Sequence, residues 1–431
     1  MNPLAQELNR ILDGSVCLDL LSDFGKRFYF PRGIALQSVE ASEHAHRFNA
    51  TVGMAYSEGH PIELETIREH MPLLSPAEAV AYAPSPGLPA LRKLWREEIY
   101  RKNPSLNKRE ISLPVVVPGL TSGITQIADL FAGEGDTVLV PDMFWGNYRL
   151  IFEVRNGSVI KTFPFFTDEG KLNIQAFVNA MRSSAKDGKI ILLVNFPNNP
   201  SGYSPTNEEA HTLASAVREV AEEGYKILVV TDDAYFGLFY EEDTFKESFF
   251  ALAANCHENV LAAKVDGPTK EDFCWGFRVG FLTFASPSMT MEQYDALNKK
   301  VGGALRGSIS NSSRPGQSIL LKTLEKLDHD EEKKKWVEVL KERYLKVKEI
   351  LETRSTGREL TPMPFNSGYF MSFNCGSVDA EKLRLELLHK EGIGTISIGS
   401  DCLRVAFSSI DTKDLQPLFD AIFAAADRLA G

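Results

Sequence analysis

Five short apolar runs in this chain lead into residues able to do chemistry, and the residues just past each run carry the information. Val115–Val117 is followed by Pro118-Gly119-Leu120-Thr121-Ser122-Gly123. Such a turn offers hydroxyls and, at the start of a helix, free N–H groups that suit a phosphate, although a Gly-rich turn is more often just a turn. Ile190–Asn195 leads to Asn195-Phe196-Pro197-Asn198-Asn199-Pro200-Ser201-Gly202, whose prolines would hold the Asn199 amide in a fixed place. Ile227–Thr231 leads to Asp232-Asp233-Ala234-Tyr235. A carboxylate at the end of a buried strand is costly unless paired, which makes Asp232 a stronger ligand candidate than a surface aspartate. Asp233 takes its place if the strand register slips by one residue. Asn259–Ala263 leads to Gly267-Pro268-Thr269-Lys270 and then Trp275-Gly276-Phe277-Arg278-Val279-Gly280-Phe281. An isolated lysine is ordinarily a solvated surface residue. Lys270 stands apart through its strand-end loop and its spacing to Arg278, whereas Lys264 sits at the strand's own end without the downstream run.

Taken in order, the Asn-Pro-Ser-Gly loop at Asn199–Gly202, the Asp-x-Ala-Tyr at Asp232–Tyr235, and Lys270 eight residues before Arg278 resemble the aspartate aminotransferase group of class I/II aminotransferases. These are fold-type I pyridoxal-phosphate enzymes, and the resemblance runs from about Asn49 to Phe407. It implies pyridoxal 5'-phosphate as cofactor, bonded through its aldehyde to Lys270, which then moves the α-proton as a base. It further implies that Asp232 pairs with the pyridinium nitrogen, while Asn199 and Tyr235 hydrogen-bond the phenolic oxygen. Gly119, Leu120, Thr121, Thr269 and Arg278 would hold the phosphate, with Tyr82 reaching in from a partner subunit. Trp145 would stack on the ring, a place Phe144 could also take. Arg404, in Leu403-Arg404-Val405, would grip the substrate α-carboxylate, with Asn199 and the backbone at Gly53 beside it. Arg306, in Leu305-Arg306-Gly307-Ser308, resembles the arginine that crosses a dimer interface to bind a dicarboxylate side chain. Two departures stand out: Gly267 replaces a common phosphate-binding serine, and the Glu271-Asp272-Phe273-Cys274 segment is more acidic than usual.

The elements that would position these residues are legible as alternation. The five runs, the second being Thr137–Val140, are separated by helical stretches such as Thr121–Phe131 and Glu208–Glu223, each stopped by a glycine. Alternating strand and helix predicts an α/β fold with a mostly parallel central sheet flanked by helices. Leu4, Leu8, Ile11 and Leu12 recur at helical spacing and predict an N-terminal amphipathic helix, followed by an irregular stretch rich in aromatic and basic residues. Asp328–Glu352 carries Trp336, Leu340, Tyr344, Val347 and Leu351 on one stripe and reads as a long connecting helix. After Gly357 come strand-like Tyr369–Phe373, a helix near Ala380–Lys390, strand-like Leu403–Phe407 and a last helix from about Lys413. The expected division is an arm with part of a small domain at 1–54, a large cofactor-binding domain at 55–327, and a connecting helix with a small α+β domain at 328–431.

Composition bounds the rest. At 431 residues, 43% hydrophobic and 24% charged, the chain has ordinary globular composition. Its net charge of −11 argues against nucleic acid as a partner and reads as solubility. Cys17, Cys256, Cys274, Cys375 and Cys402 lack metal-ligand or disulfide-framework spacing, so reduced thiols, no metal and a cytoplasmic location are expected. No apolar run reaches the ~18 residues a membrane helix needs. The leading expectation is a homodimeric aminotransferase that shares its sites across the interface and moves an amino group from aspartate or glutamate to a 2-oxo acid. Aromatic or neutral donors, or a lyase on the same cofactor, are the alternatives; an amino-acid-sensing DNA-binding regulator lacks the added basic module.

Overall fold

Strand and helix do alternate through the middle of the chain, and the product is a seven-stranded sheet. The computed structural model describes residues 1–12, 21, 26, 34–51, 53–326 and 328–431. Cys17, Val52 and most of the aromatic and basic stretch after the first helix lie outside the described residues. The strands are β1 (Val115–Val117), β2 (Thr137–Pro141), β3 (Val159–Phe163), β4 (Lys189–Asn195), β5 (Lys226–Asp232), β6 (Val260–Asp266) and β7 (Gly280–Ala285). Their order is β1-β7-β6-β5-β4-β2-β3. All neighbours among β2 to β6 are parallel, while β7 runs antiparallel to both β6 and β1. Ile, Leu and Val fill most of β4 and β5, and Val, Leu and Ala most of β6, because helices cover both faces, as parallel sheets require.

Side-chain alternation then decides which residues meet. Asn195 lies in register with Asp232, and Asp232 with Val265, so these three share one face of the sheet. Lys264, in register with Thr231, belongs to the other face.

Two helices after strands show how their starts are set. Helix α1 (Leu120–Phe131) begins at Gly119 with φ +80° and no capping side chain, which leaves its first N–H groups available. Helix α2 (Asn207–Glu222) begins instead with a Thr206–Glu209 capping box. Helix α3 (Met291–Ser308) and Arg314–Leu324 follow β7, and then comes the long helix α4 (His329–Thr353).

A second, four-stranded antiparallel sheet holds β8 (Thr361–Pro362), β9 (Met371–Asn374), β10 (Ile396–Ile398) and β11 (Cys402–Val405) in the order β8-β9-β11-β10. The last helix, α5 (Thr412–Ala430), packs against α4. The N-terminal part joins this unit: Phe48–Asn49 pairs in parallel with Ile393–Gly394, and Gln37 exchanges hydrogen bonds with Ser397. The first helix spans Pro3–Ile11. Among the described residues no helix is long and apolar enough to cross a membrane.

Candidate active site

The carboxyl ends of β4, β5 and β6 open into a cavity of about 520 Å³. Into its wall come Asn199, Asp232, Tyr235, Thr269, Lys270 and Arg278 from the large sheet, and Gly53 and Arg404 from the smaller unit. Leu120, Thr121 and Trp145 complete the part that sequence reasoning anticipated. Trp145 lines the cavity, whereas Phe144 does not; Phe144 stacks at 6.3 Å on Tyr148.

Asp232 is the last residue of β5 and is buried. Burial raises its pKa, because a carboxylate removed from water favours the neutral form. Three contacts oppose that: the Tyr148 hydroxyl donates to Oδ2 at 2.6 Å, Lys270 lies near, and the Ala234 N–H donates to Oδ1 at 3.2 Å. Tyr148 was not anticipated. It stands one turn beyond Trp145, fully buried, and its own pKa is pushed up by burial and by Asp232, so it remains a donor.

Lys270 was expected in a loop, but it sits in a helical turn, Pro268–Glu271, which starts because Pro268 at the first position already has a helical φ. Its Nζ lies 4.7 Å from the centre of the Tyr235 ring. Burial pulls its pKa down to about 8, with Asp232 pulling the other way and Arg278 adding a smaller depression. An amine so placed is free at mildly alkaline pH and can act as nucleophile or base. The Tyr235 hydroxyl keeps its proton, its pKa raised by burial.

Arg404, on β11, is buried, and burial brings its pKa down to about 10, so it stays charged at neutral pH. Nη1 donates to Asn199 Oδ1 at 2.9 Å, Nη2 donates to the Thr51 carbonyl at 3.0 Å, and the guanidinium lies 4.2 Å above the Phe370 ring. Its Nε has no partner although buried. A buried charge with an unused donor beside a cavity fits an anionic ligand such as a carboxylate.

The opposite end of the cavity also fits an anion. A Cβ built on Gly119 would stand 2.4 Å from Arg278 Nη2, so only glycine lets the guanidinium come this close to the start of α1. Arg278 itself takes φ +52°, an uncommon backbone state for a residue with a side chain. Thr269 Oγ1 is buried without a partner. At Gly267 a Cβ would meet Gly280 Cα at 2.9 Å, so a serine there has no room. An orphaned hydroxyl, an uncapped helix start and a forked cation form a phosphate cradle that fits pyridoxal phosphate.

Not every anticipated residue comes in. Tyr82 is 88% exposed, and Arg306, in the last turn of α3, is exposed and donates to Ser310 Oγ at 2.8 Å; neither lines this cavity. The competing pair is accounted for on the other side of the sheet. Lys264 and Asp233 are ion-paired to each other in the core, with Asp266 3.2 Å from the amine and Ser248 and Trp95 donating to the carboxylates. The register therefore sends Asp232, not Asp233, into the cavity. Sequence reasoning also missed Asn195, whose Nδ2 donates to the Asp232 carbonyl at 2.6 Å, and Ser38, Ser42, Tyr56 and Phe370 in the cavity wall.

Comparison with known proteins agrees with this chemistry. The chain is 24% identical over 398 residues to the aspartate aminotransferase of Escherichia coli (strain K12), covering 89% of this chain and 94% of that protein. It is 25% identical to the aspartate/prephenate aminotransferase of Thermus thermophilus, over 73% of this chain and 74% of that one. A crystal structure of an aminotransferase from Anaerococcus prevotii superposes with a TM-score of 0.84 at 25% identity, covering 96% of this chain and all of that one. The cytoplasmic aspartate aminotransferase of Saccharomyces cerevisiae shares the fold, with a TM-score of 0.77 at 17% identity over 95% of this chain and 98% of that one. Because the model for aminotransferase class I and II matches residues 53–422, the chain belongs to that family of pyridoxal-phosphate-dependent transaminases, which act on amino acids and 2-oxo acids.

Proposed function

We propose that this transaminase takes its amino group from an acidic amino acid, aspartate or glutamate, and passes it to a 2-oxo acid, with Lys270 as the base and Arg404 as the carboxylate-binding group. One observation carries the reading of the site: Lys270, Asp232 and Arg404 line a single cavity, although they come from three distant parts of the chain. Bound pyridoxal phosphate supplies an electron sink for the pair released when the α-proton leaves.

The protein's own groups do the rest. Asp232 would pair with the cofactor's pyridine nitrogen and hold its proton; burial pushes the Asp232 carboxyl up, and the Tyr148 hydroxyl, donating to it at 2.6 Å, favours the ionised form. Tyr235 and Asn199 would donate to the cofactor's phenolic oxygen. The N–H groups of Leu120 and Thr121, together with Thr269 and Arg278, would hold the phosphate, and Trp145 would cover the ring; the Gly119 N–H is taken by the Val117 carbonyl at 2.8 Å. Arg404, with Asn199 and the backbone at Gly53, fixes the substrate carboxylate. Lys270 Nζ takes the substrate's α-proton.

A homodimer follows from the residues left over. Ser85 Oγ donates to the Ser310 carbonyl and Ser318 Oγ to the Glu78 carbonyl, fastening the 71–88 segment to the end of α3 and the helix Arg314–Leu324 that follows it. That neighbourhood exposes Met71, Leu73, Val80, Tyr82 and Ile309. A surface this apolar is costly in a monomer and suits a second copy, whose site would receive Tyr82 and Arg306. The division at 1–54, 55–327 and 328–431 is supported by the pairing of Phe48–Asn49 with Ile393–Gly394. A cytoplasmic location fits the cysteine usage, Cys256, Cys274, Cys375 and Cys402 being free.

The test is a donor panel. Aspartate and glutamate are expected to convert the bound cofactor to its amine form, and Arg306→Ala to lower kcat/KM for them about 100-fold while changing that for phenylalanine less than threefold. Equal losses, or conversion by phenylalanine or alanine alone, would remove the acidic donor. Release of ammonia without conversion would indicate a lyase.

A further inference from the structure

The two carboxylates that follow Lys270 have no place in the chemistry above, yet both are buried. Lys102 and Lys333 donate to the same Glu271 oxygen at 2.7 and 2.9 Å. Lys333 lies 3.3 Å from Asp272 Oδ1, and His329 Nε2 lies 3.0 Å from it. The cations hold Asp272 well below the usual carboxylate range against the cost of burial. His329 and Lys333 belong to the first two turns of α4.

Further along α4, Arg343 donates to the Ser408 carbonyl at 2.5 Å and to Asp411 at 2.9 Å, just past the strand that carries Arg404. One helix therefore touches the lysine turn at its start and the Arg404 strand end beyond its middle. A shorter link runs beside it. The fully buried Tyr369 donates its hydroxyl to the Lys270 carbonyl at 3.1 Å. The next residue, Phe370, carries the Arg404 guanidinium over its ring, and Ser372, on the strand β9 that begins at Met371, lies opposite Arg404.

Burying charges is no cheaper way to stabilise a turn than packing apolar side chains there, because desolvation offsets most of the attraction. What converging charges and a single buried hydroxyl do supply is direction. We propose that Tyr369 and the Glu271–Asp272 pair are positioning residues that register the Lys270 amine against the Arg404 guanidinium. A substrate held by its carboxylate then presents its α-carbon to the amine. The inference rests on the roles given above to Lys270 and Arg404. Reacting groups misplaced by about 1 Å can lose about 100-fold in rate while binding survives.

The experiment uses purified holoenzyme carrying Tyr369→Phe, which removes one hydroxyl and keeps the ring packed on Tyr235, and separately Asp272→Asn. Four quantities are read: the dissociation constant of pyridoxal phosphate from the apoprotein, that of an α-methyl amino acid which cannot lose an α-proton, KM against kcat, and exchange of the donor's α-proton in deuterium oxide. For Tyr369→Phe both dissociation constants and KM are expected to stay within about threefold of wild type. Exchange and kcat are expected to fall at least tenfold, with a larger isotope effect from an α-deuterated donor. Asp272→Asn is expected to show the same split in its folded fraction. Wild-type exchange in Tyr369→Phe, or losses of kcat and binding in proportion, would overturn the proposal alone. A wild-type enzyme that exchanged no α-proton would overturn the assignment of Lys270 and the proposal with it.

Discussion

At the scale of single residues, the proposed chemistry depends on two groups whose charged forms burial disfavours. Burial pushes the Asp232 carboxyl up, the Tyr148 hydroxyl works against that shift, and a hydrogen bond to a charged group contributes about 1.5–3 kcal/mol. Tyr148→Phe removes that donor, so the Asp232 pKa rises further and the acid persists to a higher pH. On the role proposed for Asp232, binding of the cofactor needs the carboxylate. The acid limb of cofactor affinity, measured by titrating the apoprotein across pH, is therefore expected to move up by roughly 1–2 pH units; an unmoved limb would show that Tyr148 does not act on Asp232. Lys270 is the opposite case. With its pKa drawn down to about 8, the free amine is the minor form below that pH and the major form above it. Uptake of pyridoxal phosphate by the apoprotein is expected to accelerate through pH 8 and then level off. A midpoint near 10 would mean that the amine is solvated rather than enclosed.

At the scale of elements, strand alternation makes the division of labour, and it explains what the sequence could and could not convey. Thr231 and Lys264 are in register, as are Asp232 and Val265, so adjacent aspartates go to opposite faces. Lys264→Met leaves Asp233 and Asp266 buried and unpaired, and breaking such a pair costs about 3–5 kcal/mol. Its unfolding midpoint should fall accordingly while the visible cofactor band remains; loss of the band with stability intact would put Lys264 in the chemistry. Four of the five apolar runs were readable because a parallel sheet buried on both faces leaves no alternation to blur them, and the fifth, Val115–Val117, is an antiparallel edge strand that is nonetheless buried throughout. Two strands of the large sheet escaped. β3 is an edge strand, part exposed and part buried along its length, and β7 hid inside the motif that begins at Arg278. Within the site, residues just past strand ends could be named from local spacing. Tyr148 and Tyr369 could not, because their partners lie 84 and 99 residues away and only folding brings them together. The acidic residues after Lys270 stood out in sequence, but the lysines and histidine that answer them come from two other helices.

At the scale of the whole molecule, the cavity is closed by parts that enter from both sheets, and two anticipated residues face outward. Tyr82 and Arg306 lie near an exposed apolar surface, so the complete site is expected to need two chains. Sedimentation should give a mass near twice that of one chain, and dilution to the monomer should cost activity; a fully active monomer would leave Tyr82 and Arg306 without a role. Behind all of this stands one amine. Reduction of the holoenzyme with borohydride followed by peptide mapping should find the cofactor fixed to Lys270, and Lys270→Ala should abolish both the label and the visible band. Label on Lys264, or on any other lysine of the native enzyme, would contradict the account.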